Sequence, residues 1–303
     1  MVDTGSVVYA ENLTKHYGGR RGLEGLDLAV TAGEVFGYLG PNGAGKTTTI
    51  RLMLDFIRPS GGTVRVLGED PRHGAASRGR IGYLPGELRF EGRDKAIDLL
   101  RFFADARGGV PINRIKNLAG RLDLDLQQGI RTMSKGNKQK IGLVQAFMHE
   151  PELLVLDEPT SGLDPLMQQE FQAMVREARG NGQTVFMSSH VLAEVQETAD
   201  RVGIVREGRM IAVERVESLG KRAVRRVEVH FTTPVPADDF VGIAGVKNLS
   251  IEGTVLRCEM DGQLDPLIKA IARHTVADML IQEPDLEDTF LSYYYDQEGE
   301  VNA

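Results

Sequence analysis

Gly40-Pro41-Asn42-Gly43-Ala44-Gly45-Lys46-Thr47 directly follows the apolar run Val35-Phe36-Gly37-Tyr38-Leu39. Its two glycines five positions apart, followed by a lysine and a hydroxyl side chain, form the P-loop pattern. Glycine lets the backbone curl so that several N–H groups point inward at phosphate oxygens, an approach that larger residues would block. With an apolar strand before it and a helical pattern after it, the loop predicts a nucleoside triphosphate site.

The end of this loop carries its charge and its hydroxyl group. Lys46 supplies a positive charge to the β- and γ-phosphates, and Thr47 offers a hydroxyl to Mg²⁺. A helix that begins near Gly45 would point its positive end at the same phosphates. The residues predicted to contact the nucleotide here are Gly40, Pro41, Asn42, Gly43, Ala44, Gly45, Lys46, Thr47 and Thr48.

The composition is typical of a globular protein of two units. A chain of 303 residues exceeds the usual ~100–200 residues of one domain. Its single cysteine, Cys258, excludes an internal disulfide and is interpreted as a half-buried strand thiol in a reducing cytoplasm. No apolar stretch approaches the roughly 18 residues of a membrane span, and Met1–Ala10 lacks the features of a secretion signal. We therefore expect a soluble chain that can still bind a membrane partner.

Charge divides the sequence near Gly220. Residues 221–303 carry 8 Lys and Arg against 15 Asp and Glu, whereas residues 1–220 balance at 28 against 28. The formal charge of −7 of the whole chain therefore falls in its last part. Neither part has the basic stripe with which nucleic-acid binders neutralise phosphates, so no nucleic acid partner is expected. The split predicts one domain of residues 1–220 and another of residues 221–303.

Apolar periodicity predicts an α/β fold for residues 1–220. The beginning is β-rich, a helical insert follows at about residues 86–150, and short apolar runs then alternate with helical patterns as in a parallel sheet. The predicted strands are Val7–Leu13, Leu26–Thr31, Val35–Leu39, Thr63–Leu67, Leu153–Leu156, Thr184–Met187 and Val202–Val205. A helix is predicted over Lys46–Phe56, and Gly61-Gly62 is predicted to form the turn after it.

Four apolar residues, Leu153-Leu154-Val155-Leu156, end in the two carboxylates Asp157 and Glu158. A buried parallel strand would deliver both acids to the carboxyl edge of the sheet, where ligands bind in open α/β folds. Asp157 would hold Mg²⁺ through water, and Glu158 would orient or deprotonate the water that attacks the phosphate. An acidic pair at a strand end is commonly a solvated cap, but the P-loop earlier in the chain favours the catalytic interpretation.

A third motif lies before the strand that ends in Asp157. It reads Thr132-Met133-Ser134-Lys135-Gly136-Asn137-Lys138-Gln139-Lys140. In their order, the three motifs resemble those of the ATP-binding cassette (ABC) ATPases that power membrane transporters, and the resemblance covers about residues 5–220. The third looks like the family signature, although three positions depart from the usual leucine, serine, glycine, glycine, glutamine: Met133, Lys135 and Asn137. Ser134 and Gly136 match, and the resemblance implies that they meet a γ-phosphate at a helix start. Alone, this stretch would be an N-capped basic helix.

Three further positions match the family. Ser161-Gly162-Leu163-Asp164 resembles the D-loop that crosses between two cassettes, although Asp164 could also cap the helix that begins at Pro165. His190 occupies the position of the switch histidine, which implies contact with the γ-phosphate, whereas a lone histidine after a strand is often structural. Tyr17 sits where the family places an aromatic that stacks on adenine, with core packing as the alternative.

One departure concerns a glutamine that the family carries between the P-loop and the signature. In the run Ile81-Gly82-Tyr83-Leu84-Pro85-Gly86-Glu87, Gly86 takes that position and Glu87 follows it. The glutamine of the family touches Mg²⁺ and the attacking water and faces the membrane partner. Glu87 either replaces it after a small backbone shift or is simply solvated, and the sequence does not decide between the two.

Residues 221–303 show strand and helix patterns of their own. Strands are predicted at Arg226–Phe231, Val246–Ile251, Thr254–Met260 and Val276–Ile281, and helices at Leu264–Arg273 and Leu286–Tyr295. This part resembles the small α+β domain appended to many bacterial drug- and lipid-exporter cassettes. Tyr293-Tyr294-Tyr295 is interpreted as a packing or dimer contact rather than a ligand site.

The resemblance implies a cytoplasmic ATPase subunit that binds ATP with Mg²⁺ and lies on the inner face of the cell membrane, against a separate permease. Lys46, Glu158 and His190 would carry the catalysis, and exporters of drugs, antibiotics or other amphipathic molecules are the most similar branch. Since the chain has one P-loop and one signature, a second cassette chain, expected to be identical, would complete each ATP site in a head-to-tail dimer. The alternatives are a non-transport ABC ATPase of translation or DNA repair and a regulatory module with a degenerate ATP site.

Overall fold

The computed structural model describes residues 5–18, 20–74, 77–88, 90, 92, 94–217 and 225–282. The chain divides into two compact units, Met1–Glu214 and Arg215–Ala303. The boundary predicted near Gly220 lies outside the described residues. Each unit has its own β-structure and its own apolar core.

The first unit begins with an antiparallel sheet in the order β2-β1-β4. Its strands are β1 (Ser6–Tyr17), β2 (Arg20–Thr31) and β4 (Gly61–Val66). The first two extend beyond the predicted bounds, since the segments around Lys15 and Leu23 pair across register shifts that break the alternation used to find strands. The turn predicted at Gly61-Gly62 is wrong, because Gly61 pairs with Thr14 and both glycines begin β4.

The second sheet of this unit has six strands in the order β5-β6-β7-β3-β8-β9. The strands are β3 (Val35–Leu39), β5 (Ile81–Leu84), β6 (Leu153–Asp157), β7 (Thr184–Ser189), β8 (Arg201–Arg206) and β9 (Arg209–Arg215). β3 pairs in parallel with β7 and β8, and β6 pairs in parallel with β5 and β7, which confirms the predicted parallel sheet. All of β3 is buried, as expected for a parallel strand covered on both faces.

Helices flank these strands. Those that the structure describes in this unit are α1 (Lys46–Met53), α2 (Ala96–Ala106), α3 (Ile112–Arg121), α4 (Lys135–Phe147), α5 (Pro165–Gly180) and α6 (Leu192–Gln196). α1 ends at Met53 rather than at the predicted Phe56, because Asp55 adopts a left-handed backbone with a φ of 60°. Within the described residues, no helix is long and apolar enough to span a membrane.

The core of the first unit holds the P-loop helix against both sheets. α1 contacts β2 and β4 of the antiparallel sheet and β6 of the parallel sheet. Its Ile50 is fully buried in one cluster with Leu13 of β1 and Phe36 of β3. Burial of an aliphatic side chain of this size contributes about 1.5–3 kcal/mol. The start of α1 is thus fixed relative to the carboxyl ends of the parallel strands.

The helical insert holds the strand that leads toward Gly86. Arg107, at the end of α2, donates to the carbonyl oxygen of Ile81 at 3.1 Å and contacts Nε2 of His149 at 2.6 Å. Burial, reinforced by the positive charge of Arg107, lowers the pKa of His149 to about 4. The imidazole is therefore neutral near pH 7, and its Nε2 accepts a hydrogen bond from the guanidinium group.

The second unit is an antiparallel sheet in the order β11-β12-β10-β13, with a helix. Its elements are β10 (Arg225–Phe231), β11 (Val246–Glu252), β12 (Val255–Met260), α7 (Asp265–Ile271) and β13 (Val276–Gln282), close to the predicted α+β pattern. Cys258 is buried rather than half-buried, because it faces the core together with Val227 and Leu267. Burial raises the pKa of its thiol to about 11. The helix predicted at Leu286–Tyr295, with its three tyrosines, lies outside the described residues.

Candidate active site

Three neighbouring strands end at one cleft of about 720 Å³. β3 leads into the P-loop, β6 ends at Asp157, and β7 ends at Ser189, immediately before His190. Because β6, β7 and β3 are adjacent and parallel, their carboxyl ends meet at the same edge of the sheet. The topology therefore brings three distant sequence motifs together.

The P-loop needs its glycines for two different reasons. A Cβ at Gly40 would lie 2.3 Å from the carbonyl oxygen of Val205, and one at Gly45 would lie 2.7 Å from Cδ2 of Leu23. Close packing therefore excludes side chains at both positions. Gly43 instead has open space around it, and it is favoured by its left-handed backbone, with a φ of 83°. Gly45 caps α1 with a φ of 110° and no side-chain bond, which leaves the helix start to an anion.

Lys46 is buried and turned toward Glu158. Its side chain is 6% exposed, and its Nζ donates to the carbonyl oxygen of Gly40 at 2.6 Å. The same nitrogen lies 3.2 Å from Oε1 of Glu158. The ammonium group is thus held where the loop curls, with a negative charge as its partner.

Oxygen atoms suited to a hard cation meet beside this lysine. The hydroxyl of Thr47 donates to Oδ2 of Asp157 at 2.9 Å, and the hydroxyl of Ser188 donates to Oδ1 at 2.5 Å. Among the described residues, no cluster of three or more His, Cys, Asp or Glu side chains could hold a metal. A hydroxyl with a single carboxylate instead matches Mg²⁺, which binds through few protein ligands and takes its others from water and phosphate.

Glu158 lies between two cationic or potentially cationic side chains. Its Oε2 is 2.6 Å from Nδ1 of His190, and its Oε1 faces Lys46. Its backbone is left-handed, with a φ of 50°, a conformation that costs about 1–2 kcal/mol in a residue with a Cβ. The backbone N–H of Glu158 donates to the carbonyl and hydroxyl oxygens of Ser188, which holds this strained turn in place. The carboxylate is therefore directed into the cleft rather than into solvent.

An aromatic and a basic side chain also line the cleft. Tyr17 is 43% exposed and lines the cleft, so it is not a core residue. Gly22 gives it room, since a Cβ there would lie 2.8 Å from Cε2 of the tyrosine ring. Arg51 also lines the cleft, and sequence analysis missed it although it lies one helical turn beyond Thr47 on the same face of α1.

The segment at the position of the family's glutamine runs beside Asp157. A Cβ on Gly86 would lie 3.2 Å from Oδ2 of Asp157, so a side chain at this position would press on the acid. Glu87 and Tyr83 line the same cleft. Burial, together with the negative charge of Asp157, raises the pKa of Tyr83 to about 12. The departure from the family pattern therefore falls at the acidic centre of the site.

The signature segment packs on the D-loop of its own chain. A Cβ on Gly136 would lie 2.5 Å from the carbonyl oxygen of Gly162, and Nζ of Lys135 lies 2.9 Å from Oγ of Ser161. Each motif also caps a helix. Oγ of Ser134 accepts from the backbone of Asn137 at 3.2 Å, and Oδ1 of Asp164 accepts from that of Met167 at 3.1 Å, which confirms the predicted capping by Asp164.

The predicted site residues fall into two groups. Those that line the cleft are Tyr17, Pro41, Asn42, Gly43, Gly45, Lys46, Thr47, Thr48, Asp157, Glu158 and His190. Those that do not are Gly40, Ala44, Ser134, Gly136 and Asp164. Ala44 is buried in the core behind the loop, and Gly40 contributes a carbonyl oxygen to Lys46. The last three belong to the two helix starts described above.

Fold and site together define a P-loop ATPase built on a parallel sheet. Residues 23–161 match the family model described as ABC transporter. A bacitracin transport ATP-binding protein of Enterococcus faecalis is 37% identical over 71% of each chain. A Nod factor export ATP-binding protein I of Burkholderia lata is 31% identical over 92% of this chain and 94% of its own. The solved structure of an ATP-binding subunit of an ABC transporter superposes with a TM-score of 0.66 at 29% identity, over 71% of this chain and 92% of that one.

This chain belongs to the ABC transporter family, as an ATP-binding subunit. The family, the α/β fold and the ATPase activity that the sequence predicts are thereby confirmed. The family binds ATP and hydrolyses it, so the cleft is described below with that substrate.

Proposed function

We propose that this chain delivers the energy of ATP hydrolysis to a separate membrane permease that exports antibiotics or other amphipathic molecules. The observation that carries the proposal is the meeting of the P-loop, the two acids and His190 at one cleft. Relatives named for bacitracin transport and Nod factor export support an exporter. They do not favour the alternatives, a role in translation or DNA repair or a degenerate regulatory module.

Lys46 and the P-loop would hold the β- and γ-phosphates, while Tyr17 would stack on the adenine ring. Thr47 and Asp157 would hold Mg²⁺, which when bound neutralises negative charge on the phosphate oxygens. Their oxygen atoms already lie 2.9 Å apart, so little rearrangement is needed.

Glu158 would accept a proton from the attacking water, as a general base at the γ-phosphate. His190 would donate a hydrogen bond to the γ-phosphate, because its imidazole contacts Glu158 and lines the same cleft as Lys46. Binding of a phosphate near Lys46 would draw this lysine away from Glu158 and leave the carboxylate to the water. The ion pair seen in the structure therefore keeps both groups in place before the substrate enters.

Two copies of the chain would form the active unit. Ser134, Gly136 and Asp164 do not line the cleft of their own chain, yet they sit at helix starts, which favour anions. In a head-to-tail dimer they would face the γ-phosphate bound by the partner, so each ATP would be shared by two chains. Closure around ATP and opening after hydrolysis would drive the permease from the inner face of the cell membrane.

Ser134→Arg tests the shared site. A bulky cation at this helix start would block the partner's γ-phosphate position, so we expect turnover to fall about 10²–10³-fold, as for loss of one group that stabilises transition-state charge. Each chain keeps its own P-loop, so binding of a fluorescent ATP analogue should persist. Phosphate release and ATP titration measure the two effects.

Mixing provides the decisive control for this variant. Chains with Ser134→Arg and chains with Lys46→Ala should regain part of the activity when combined, because one site of each mixed dimer has an intact P-loop and an intact signature. Mixed dimers that are shown to form but that recover no turnover would contradict independent shared sites.

Transport itself is tested in inside-out membrane vesicles that contain this chain and its membrane permease. We expect ATP-dependent uptake of a labelled amphipathic peptide antibiotic such as bacitracin, because export from the cell becomes uptake in this orientation. Vesicles with Lys46→Ala should show none. Uptake only into right-side-out vesicles would show that the transporter imports rather than exports. Absence of both transport and substrate-stimulated ATPase activity would contradict an exporter of this class.

A further inference from the structure

Glu194, on the short helix α6, connects two loops of the active site. Its Oε1 accepts from the hydroxyl of Thr160 at 2.6 Å, and its Oε2 accepts from the hydroxyl of Ser189, also at 2.6 Å. Both hydroxyl residues are buried, with 6% and 2% of their surface exposed. Hydrogen bonds of about 2.5–2.7 Å between a hydroxyl and a carboxylate are typical of charge-assisted bonds.

The two donors flank the catalytic pair. Ser189 immediately precedes His190, and Thr160 lies two residues after Glu158. The carbonyl oxygen of Thr160 also accepts from the backbone of Leu163 at 3.0 Å, in the turn that leads to the D-loop aspartate. One carboxylate thus connects the end of β7 with the segment that follows β6.

The Thr160 segment has a second attachment, on the signature helix. Nε2 of Gln139, in α4, donates to the carbonyl oxygens of Glu158 at 3.2 Å and of Pro159 at 3.0 Å. Within the described part of the chain, Glu194 forms no ion pair with Lys, Arg or His, so its charge is directed to the two hydroxyls. The backbone after β6 is thereby held from α4 on one side and from α6 on the other.

We propose that Glu194 is a positioning residue for hydrolysis, which fixes the loop of His190 relative to the turn that carries Glu158. The 2.6 Å contact between His190 and Glu158 requires that these two loops keep their separation. Ser188 already bonds to the backbone of Glu158 at the strand ends, and Glu194 adds a bond to each loop beyond that point. Glu194 does not line the cleft itself. The role in hydrolysis rests on the proposed function, whereas the connection between the loops does not.

The alternative role for Glu194 is to stabilise its own helix, α6. Glu194 lies in the first turn of α6, where a carboxylate stabilises the positive end of a helix. In that case its loss would loosen α6 and leave the turn after Glu158 unchanged. The two roles therefore differ in the segment that responds to the mutation.

Hydrogen exchange in the nucleotide-free full-length protein separates these roles. Glu194→Ala should raise amide exchange about tenfold in residues 158–164 as well as in residues 187–191, since it removes two charge-assisted bonds. The control Glu197→Ala removes an exposed acid at the end of the same helix and should raise neither. Faster exchange confined to residues 190–198 would overturn the proposal.

Kinetics test the consequence for hydrolysis. We expect Glu194→Ala to lower kcat about 10–100-fold, as for misplacement of a catalytic group, with ATP affinity within twofold of wild type. Glu194→Gln should be intermediate, because its amide still bonds to both hydroxyls, one as acceptor and one as donor. Combining Glu194→Ala with His190→Ala should cost little more than His190→Ala alone, and an additive loss or an unchanged kcat would overturn the positioning role.

A second variant, Thr160→Val, covers the case of a misfolded Glu194→Ala protein. If Glu194→Ala does not fold, Thr160→Val, which keeps the shape but removes one donor, must reproduce the faster exchange in residues 187–191 and the lower kcat. A wild-type chain that fails to hydrolyse ATP would contradict the proposed function, while the exchange pattern would still decide whether Glu194 connects the loops.

Discussion

Replacement of Glu158 by glutamine should slow ATP hydrolysis by roughly 10²–10⁴-fold, the range expected for loss of a general base. Glutamine keeps the shape of the side chain but cannot accept the proton of the attacking water. The P-loop, Lys46 and Thr47 remain, so ATP should still bind. Steady-state phosphate release and a titration with a fluorescent ATP analogue measure the two effects.

Glu11→Gln is the matched control for this variant, since it makes the same change at an exposed position of β1. Its turnover should equal that of the wild type. Wild-type turnover in Glu158→Gln itself would remove this carboxylate from the mechanism, and His190 or a water chain would have to take its role.

Lys46→Ala should lower the affinity for MgATP by about 10²–10³-fold, because hydrogen bonds to charged groups are worth about 1.5–3 kcal/mol each and this lysine would make more than one to the phosphates. Turnover should fall with it. The variant also leaves Glu158 without its 3.2 Å partner, so the carboxylate becomes less well ordered. Titration with the fluorescent analogue decides the outcome.

Lys116→Ala, on the exposed face of α3, controls for the loss of a lysine and should bind ATP normally. Circular dichroism must show that Lys46→Ala is folded, since its side chain is buried. A folded Lys46→Ala protein with unchanged affinity would mean that the P-loop does not hold the phosphates.

Much of this site could be predicted because its chemistry is local in sequence. The P-loop glycines, Lys46 and Thr47 are adjacent, and the strand before Asp157 shows as an unbroken apolar run. The buried parallel strand β3 begins and ends as predicted, whereas β6 and β7 run one and two residues beyond their predicted ends because Asp157, Ser188 and Ser189 are polar but buried. The meeting of β3, β6 and β7 then follows from the rule that parallel strands end at one edge.

The remaining features depend on contacts between residues far apart in the chain. Glu194 bonds to Thr160 across 34 positions, and Ser188 bonds to Asp157 across 31. No local pattern distinguishes either from an ordinary helix acid or strand hydroxyl. The extra length of β1 and β2 likewise depends on pairing across register shifts rather than on alternation.

The central claim is that two copies of this chain enclose ATP between a P-loop and a partner's signature and that Glu158 ends this state by hydrolysis. Light scattering of Glu158→Gln in MgATP, with an assay of the bound nucleotide, tests it most directly. The account predicts a two-chain particle that retains two ATP molecules, whereas chains with Lys46→Ala stay single under the same conditions. A Glu158→Gln chain that binds ATP yet remains single at every protein concentration would contradict it.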